Sequence, residues 1–294
     1  MTFDMPALDL LVVGGLTIDR FPDGSSAPGG SVLHIARAAA TRALRIGVAT
    51  AAGPEPEAQA GLKELRRLTA PVERSRGAAT ATFRHLEAPA GRRLWLERRG
   101  AMVALGADAD NRTGTRAILY APIAEEVPTE ALMGGAPAIQ RGAILQGWLR
   151  TTDQHDEVHP RPLSALSHAL VEALGGFDLL VASREDLLAE ARDPSHQLRS
   201  MRRVFGRGPA LVVTDGIDGV WVDAGQSAFA SKPRHLPVPW RVEEVPTVGS
   251  GDIFAAFMLP MPDGDYSPDR LTQKAGAAMR VVAEVLEERS MSRR

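Results

Sequence analysis

The segment V-P-T-V-G-S-G-D-I-F-A-A-F, residues 245–257, combines small residues with one carboxylate in a way that suits anion chemistry. Gly249, Ser250 and Gly251 precede Asp252, and an apolar run follows, so the pattern predicts a turn that leads into a buried helix. The start of a helix carries unpaired backbone N–H groups and a partial positive charge, and both favour anions. Asp252 can cap such a helix, or it can lie beside a bound phosphate and accept a proton from a hydroxyl.

Two further glycine groups stand at positions where a ligand could approach the backbone. Gly29 and Gly30 precede an Ala-rich segment for which we predict a helix, with Ser31 as its N-cap. Gly216 and Gly219, in the sequence T-D-G-I-D-G, fall in a turn between two apolar runs. Each pair is also compatible with an ordinary tight turn, so these glycines do not define a site by themselves.

Other motif-based functions fit the sequence poorly. The stretch G-S-G-D-I-F begins like a dinucleotide fingerprint, but Phe254 occupies the third glycine position and the stretch lies far from the first strand. The chain contains no G-x-x-x-x-G-K-[ST] motif, which excludes a Walker-type phosphate loop. His155 and His159 have the spacing of metal ligands on a helix, but their polar surroundings and the following P-R-P predict a loop. We therefore predict no protein-bound metal.

Composition narrows the class of protein further. The chain has 294 residues, of which 44% are hydrophobic and 24% charged, enough for one large α/β domain with a substantial core. Its net charge of −2 and its scattered basic residues argue against a nucleic-acid partner. It contains no cysteine, no signal-peptide pattern and no apolar run approaching the roughly 18 residues of a membrane span. We expect a cytoplasmic protein that binds neither membrane nor nucleic acid.

Short apolar runs alternate with helical segments, and this rhythm predicts a mostly parallel sheet covered by helices. Residues 79–99 break the rhythm with two alternating stretches around A-P-A-G, which predicts a β-hairpin that lies over a site as a lid. We expect a single domain over residues 1–294 that includes this lid. Strands are predicted at 8–15, 45–53, 116–122, 142–148 and 177–183, with two more in 209–223, and helices at 31–43, 57–68, 164–176 and 269–290, with another starting at 184.

Taken in order, these segments resemble the PfkB, or ribokinase-like, carbohydrate kinase family over nearly the whole chain. The similarity is carried by VVGGLTID at 12–19, APGGSVLHIARAAATRALRIGVATAAG at 27–53, LVASREDL at 180–187, VVTDGIDGVWV at 212–222 and PTVGSGDIFAAF at 246–257. The last of these resembles the family's most specific signature, D-T-x-G-A-G-D. Q-G-W-L-R at 146–150 and the short hairpin are similar to the branch that contains myo-inositol kinases. The resemblance implies a three-layer α/β/α sandwich with a mostly parallel central sheet and a small lid.

The resemblance also implies an activity: ATP-dependent phosphorylation of a hydroxyl on a small sugar or polyol, with Mg²⁺ as a cofactor. Asp252 would be the general base, and the N–H groups of Gly249, Ser250 and Gly251 would form an anion hole. The resemblance places acceptor contacts at Asp19, Gly29, Gly30 and His34, and nucleotide contacts at Ser183, Asp186, Thr214, Gly216 and Gly219. A nucleoside kinase of the same fold and a catalytically eroded ligand-binding relative remain open alternatives, as do a monomer and a homodimer.

The chain departs from the family pattern at four positions. Ser183 and Asp186 stand where the family has the Asn and Glu of its N-x-x-E motif, which organise water bound to Mg²⁺. His34 stands where many members have a sugar-binding asparagine, and Pro246 replaces the first aspartate of the signature. That aspartate helps to hold a monovalent cation beside the anion hole, so its absence bears on the cation requirement.

We predict little or no activation of this protein by potassium. Pro246 offers neither a carboxylate nor a backbone N–H at the position where family members use an aspartate for cation binding. Replacing sodium with potassium at fixed ionic strength, so that screening is constant, should leave turnover essentially unchanged. A several-fold rise in turnover with potassium would contradict this prediction.

Overall fold

The structure, a computed structural model, describes residues 7–88, 91–105, 114–133, 139–225, 232–243 and 245–292. Its strands fall into a large central sheet, a smaller four-stranded sheet and a two-stranded ribbon. In chain order the strands are β1 (Leu10–Val13), β2 (Thr17–Arg20), β3 (Ser26–Gly29), β4 (Ile46–Ala52), β5 (Val72–Arg76), β6 (Ala81–Ala88), β7 (Gly91–Arg98), β8 (Ala117–Tyr120), β9 (Gln140–Ile144), β10 (Arg150–Thr152), β11 (Val158–Pro160), β12 (Leu179–Ser183), β13 (Ala210–Thr214), β14 (Val220–Asp223) and β15 (Arg234–Leu236).

The central sheet has nine strands in the order β15-β14-β13-β12-β9-β8-β1-β4-β5. The strands from β13 to β5 in this order are parallel to their neighbours, and β14 pairs antiparallel with both β13 and β15. Every residue of β1, β4 and β8 is buried. Continuous apolar strands are typical of a parallel sheet that is covered on both faces, as the sequence predicts.

Six α-helices in the described residues cover the two faces of this sheet. They are α1 (Ser31–Ala40), α2 (Pro56–Leu68), α3 (His168–Gly175), α4 (Pro194–Phe205), α5 (Ser250–Met258) and α6 (Pro268–Met291). Side chains alternate across β1, so Leu10 and Val12 share one core cluster with α1, α2, α5 and α6. Leu11 and Val13 pack on the opposite face with α3 and α4. The predicted three-layer α/β/α sandwich is therefore confirmed.

The predicted hairpin over residues 79–99 is present as β6 and β7, and its tip at residues 89–90 lies outside the described residues. It belongs to a four-stranded sheet in the order β3-β2-β6-β7, called the lid sheet below. Strand β2 runs parallel to β6 and antiparallel to β3. Asp19 lies on β2, so the lid sheet contributes a candidate site residue.

Two local predictions are wrong. The helix predicted to start at residue 184 is replaced by consecutive turns over 184–190, and α4 begins only at Pro194. The effective start signal is Asp193, which accepts a hydrogen bond from the N–H of His196, followed by proline at the first helical position. The strand predicted at 142–148 ends at Ile144 and continues as a 3₁₀ turn, Leu145–Gly147.

No helix among the described residues is long and apolar enough to cross a membrane.

Candidate active site

The fold brings most of the predicted site residues to the carboxyl-terminal edge of the parallel strands. Ser183 ends β12, Thr214 ends β13, and the two are direct partners across these strands. Strand β1 leads through Gly14 and Gly15 into β2 of the lid sheet. In open α/β sheets, ligands bind outside this edge because loops and helix starts converge there.

The glycine-rich segment forms a tight turn at the start of α5. Gly249 is the N-cap and has a φ of 80°, a conformation that favours glycine. A Cβ atom at this position would lie only 2.3 Å from Cγ of His34, so the imidazole packs directly on the glycine backbone. His34 was predicted to contact the acceptor, and the structure places its ring against the predicted anion hole.

The N–H groups of this segment are used unequally. Ser250 donates to the carbonyl of Thr247 over 3.0 Å, so this N–H already has an acceptor. The N–H groups of Gly249 and Gly251 have no hydrogen-bond acceptor within the described part of the chain. A Cβ atom at Gly251 would meet no atom of the described structure within 4 Å, which leaves space in front of its backbone. Two of the three predicted donors can therefore face an anion.

Asp252 is the third residue of α5 and is only 9% exposed. The hydroxyl of Ser31 donates to its Oδ1 over 2.8 Å. Ser31 was predicted to be the N-cap of α1, and this is wrong: the N-cap is Gly30, with a φ of 102°. The carbonyl of Gly15 lies 2.4 Å from where a Cβ of Gly30 would be, so a glycine is required there. The Ser31 hydroxyl is thereby directed at the carboxylate instead of at its own helix.

Asp19 lies in a cluster of polar groups on the lid sheet. Its Oδ1 accepts a hydrogen bond of 3.0 Å from the Thr17 hydroxyl, and Nε2 of His85 lies 3.3 Å from the same oxygen. The contact with His85 has ion-pair distance without hydrogen-bond geometry. A Cβ at Gly29 would lie 2.2 Å from Oδ2, so only glycine leaves room for the carboxylate. Phe21 packs on His85 with 5.3 Å between ring centroids.

Ser183 and Asp186 form a closed turn at the end of β12. The Ser183 hydroxyl donates to Asp186 Oδ2 over 2.6 Å, and the Asp186 N–H donates back to that hydroxyl over 3.1 Å. Nε of Arg150 lies 3.8 Å from Oδ1 of this buried carboxylate. A guanidinium at this distance repels a divalent cation, so Asp186 does not fit as a ligand of Mg²⁺.

The turn after β13 holds the remaining predicted nucleotide contacts. Gly216 has a φ of 55°, and a Cβ there would meet no described atom within 4 Å. Gly219 has a φ of 102°, and the carbonyl oxygen of Leu236 lies 2.1 Å from its ideal Cβ position. Gly219 is therefore required by the packing of β15, whereas Gly216 faces open space. Asp215, between Thr214 and Gly216, pairs with Arg184 at 2.9 Å.

Glu126 organises the edge of the site although no sequence motif pointed to it. Its buried carboxylate accepts hydrogen bonds from the N–H groups of Gly15, Ile123 and Ala124 at 2.7–3.0 Å. It thus fixes the loop that leads from β1 to the lid sheet against the loop after β8. His85 was also missed, because a single histidine in an alternating strand carries no signal of its partner.

The histidine pair singled out in the sequence lies on no helix: His155 is in the turn between β10 and β11, and His159 is in β11. Possible ligand atoms of Asp153, Glu157 and His159 lie within 4.8 Å of one another. Glu157 is ion-paired with Arg93, and Asp153 accepts hydrogen bonds from backbone N–H groups. These hydrogen bonds and the ion pair stabilise the exposed turn.

Neither a protein-family model nor a curated protein sequence matches this chain. Solved structures do match in fold. A pyrophosphate-dependent kinase in the ribokinase family, complexed with a pyrophosphate analog and myo-inositol, is 18% identical with a TM-score of 0.66, covering 92% of this chain and 95% of the other. Ribokinase from Arabidopsis thaliana, complexed with ribose and ATP, is 15% identical with a TM-score of 0.65, covering 96% and 99%.

Ribokinase from Cryptococcus neoformans var. grubii serotype A, in complex with ADP, is 17% identical with a TM-score of 0.64. The match covers 97% of this chain and all of the other, 100%. The chain therefore has the ribokinase fold over nearly its full length.

The buried bonds of Glu126 predict a large effect on stability. Glu126→Ala leaves three backbone N–H groups without their acceptor, which should lower the free energy of unfolding by about 2–4 kcal/mol. Glu126→Gln keeps one acceptor oxygen and should cost less. Glu130 is exposed, so Glu130→Ala should change stability by less than about 0.5 kcal/mol. Urea denaturation would measure all three, and an equal effect of the two alanine variants would refute the role of Glu126.

Proposed function

We propose that the protein is an ATP-dependent kinase that phosphorylates a hydroxyl of a small sugar or polyol, with inositol-like acceptors included. The observation that carries the proposal is the position of Asp252. A buried carboxylate lies in the first turn of α5 beside two glycine N–H groups that have no acceptor within the described residues, and a serine hydroxyl donates to it. The ribokinase fold and the ribose, ATP, ADP and myo-inositol complexes of its structural neighbours support the same reading.

In this mechanism Asp252 is the general base. Its carboxylate accepts the proton of the acceptor hydroxyl while the hydroxyl oxygen bonds to the γ-phosphorus of ATP. The bond from that phosphorus to the β–γ bridging oxygen breaks, and ADP leaves with the electron pair. The hydrogen bond from Ser31 holds one carboxylate oxygen, so the carboxylate is oriented before the acceptor arrives.

The backbone supplies the electrostatic part of the reaction. Phosphoryl transfer spreads negative charge over three oxygens and requires positioning more than covalent participation by the protein. The N–H groups of Gly249 and Gly251, together with the dipole of α5, would stabilise that charge. Ser250 contributes the bend of the segment, since its N–H is bonded to Thr247.

Acceptor binding is assigned to the lid sheet. Asp19 would accept hydrogen bonds from acceptor hydroxyls, with Gly29 and Gly30 lining the approach. Thr17 and His85 fix the Asp19 carboxylate, and α1 connects this cluster to Asp252 through Ser31.

The donor is assigned to the edge formed by β12, β13 and the turn that follows. Gly216 faces open space just after Thr214 ends β13, which suits a nucleotide. Mg²⁺, when present, would be held by the donor's own phosphates and would neutralise part of their charge, since Asp186 does not fit as its ligand. One structural neighbour uses pyrophosphate, so pyrophosphate belongs beside ATP in any assay of donors.

The pairing of Arg150 with Asp186 favours a second candidate function, a non-catalytic ligand-binding protein of the same fold. A nucleoside kinase is the further enzymatic alternative. A screen of phosphate transfer from ATP and from pyrophosphate to inositols, sugars and nucleosides separates these cases. Phosphate transfer to nucleosides alone would favour the nucleoside kinase. Ligand binding without any phosphate transfer would favour the non-catalytic ligand-binding protein.

If Asp19 binds the acceptor, its removal should weaken acceptor binding selectively. Hydrogen bonds to a charged group contribute about 1.5–3 kcal/mol each, and about 1.4 kcal/mol is one decade in affinity. Asp19→Ala should therefore weaken acceptor binding by at least ~10-fold with ATP affinity nearly unchanged. Asp23 lies in an exposed turn of the same sheet, so Asp23→Ala is the matched control. Calorimetry that found equal losses for both ligands would make Asp19 a structural residue.

The role of Asp252 is tested by Asp252→Asn, which keeps the size of the side chain but removes the base. General-base catalysis contributes typically ~10²–10⁴-fold, so kcat should fall by that order while both ligands still bind. The amide oxygen of Asn can still accept the hydrogen bond from Ser31, so a purely structural role of Asp252 would leave activity and melting temperature nearly unchanged. Asp269 also lies in the first turn of a helix but is 91% exposed, which makes Asp269→Asn the control.

A further inference from the structure

Arg289, in the last turns of α6, contacts the backbone that leads into the glycine-rich segment. Its Nη1 donates to the carbonyl of Val248 over 2.9 Å and to that of Pro246 over 3.3 Å. The side chain is half-buried, and within the described residues no carboxylate lies at salt-bridge distance from it. The guanidinium therefore has only main-chain oxygens as its hydrogen-bond acceptors in this part of the structure.

Arg289 keeps its positive charge although it is half-buried and lies near Arg37. Burial lowers the pKa of Arg289, and the neighbouring Arg37 lowers it further. An arginine nevertheless remains protonated at neutral pH, because its ordinary pKa is far above that range. Arg37 is itself paired with Glu64 through two hydrogen bonds, so it is held in place beside Arg289. A fixed positive charge thus lies directly behind residues 246–248.

The contact with Val248 constrains the next peptide group. In a trans peptide the C=O of one residue and the N–H of the next point in opposite directions, because the unit is planar. Holding the carbonyl of Val248 toward α6 therefore directs the N–H of Gly249 away from α6. That N–H is one of the two donors that have no acceptor in the described structure.

We propose that Arg289 is a positioning residue that orients the anion-binding N–H of Gly249 and supplies the positive charge behind it. The inference rests on the proposed phosphoryl transfer at residues 249–251. It assigns to a side chain of α6 the task of holding the carbonyl oxygens of Pro246 and Val248 in place. It also gives a physical reason for the predicted lack of response to potassium, since the carbonyls of Pro246 and Val248 already have a cationic partner.

The test compares Arg289→Ala and Arg289→Lys with wild type, using Arg280→Ala as an exposed control on the same helix. Two quantities are measured: the affinity for inorganic phosphate, read from the NMR amide signals of Gly249 and Gly251, and turnover with ATP. Each variant is also followed by thermal denaturation. Added guanidinium chloride, at millimolar concentrations that do not unfold the protein, tests for rescue.

Arg289→Ala should weaken phosphate binding at Gly249 by about tenfold and lower kcat by a similar factor, with KM for the acceptor unchanged. Added guanidinium should restore much of both losses in this variant and have no effect on wild type or Arg280→Ala. Lysine keeps the charge but lacks the planar fork, so Arg289→Lys should show a smaller loss. If the alanine variant does not fold, the lysine variant decides by the same phosphate titration.

Unchanged phosphate affinity at Gly249 in the folded variants would overturn the proposal. So would a wild-type protein whose Gly249 amide does not respond to phosphate, or a loss that guanidinium fails to restore while the melting temperature falls. A different result, phosphate binding that depends on Arg289 in a protein without any kinase turnover, would refute the proposed function and leave the positioning role standing.

Discussion

A carboxylate buried at the start of a helix requires partners, because an ion removed from water costs several kcal/mol unless it is hydrogen-bonded or paired. The hydroxyl of Ser31 supplies such a partner for Asp252, and its contribution reaches beyond the two side chains. Ser31 opens α1 directly after Gly29 and Gly30, which lead out of the lid sheet, and Asp252 opens α5. The hydrogen bond therefore links α1, which follows the lid sheet and its proposed acceptor contacts, to α5, which carries the proposed base.

The proposed chemistry depends mostly on main-chain groups, whose directions are set by neighbouring side chains. The carboxylate of Glu126 accepts hydrogen bonds from N–H groups of two loops, and the guanidinium of Arg289 donates to carbonyls of one segment. His34 packs on Gly249, the N-cap of α5. Main-chain groups cannot be mutated away, but their directions depend on such side chains.

Features that depend on local pattern were predictable from the sequence. Buried strands, the hairpin and the helix after Gly251 follow from apolar periodicity and glycine placement, and the structure contains them. Features that depend on contacts between distant residues were not. Glu126 is 111 positions from Gly15, and Arg289 is 41 positions from Val248, so neither residue type carries information about its partner. The cap predicted at Ser31 is wrong for a similar reason. A hydroxyl at a helix start can cap its own helix or hydrogen-bond to a distant residue, and the burial of Asp252 favours the bond to Asp252. The assignment of the whole chain to one domain stays a prediction.

The lid sheet gives the molecule a mechanical property. Asp19, Thr17 and His85 all belong to it, whereas Asp252 belongs to α5 on the central sheet. If Asp19 binds the acceptor and Asp252 is the base, as proposed, a displacement of the lid sheet moves the acceptor contacts and changes their separation from the base. Under that proposal, the same movement of the lid sheet opens the site and releases the acceptor. The stiffness of the loop at Gly14 and Gly15, which Glu126 clamps, then sets how freely that movement occurs.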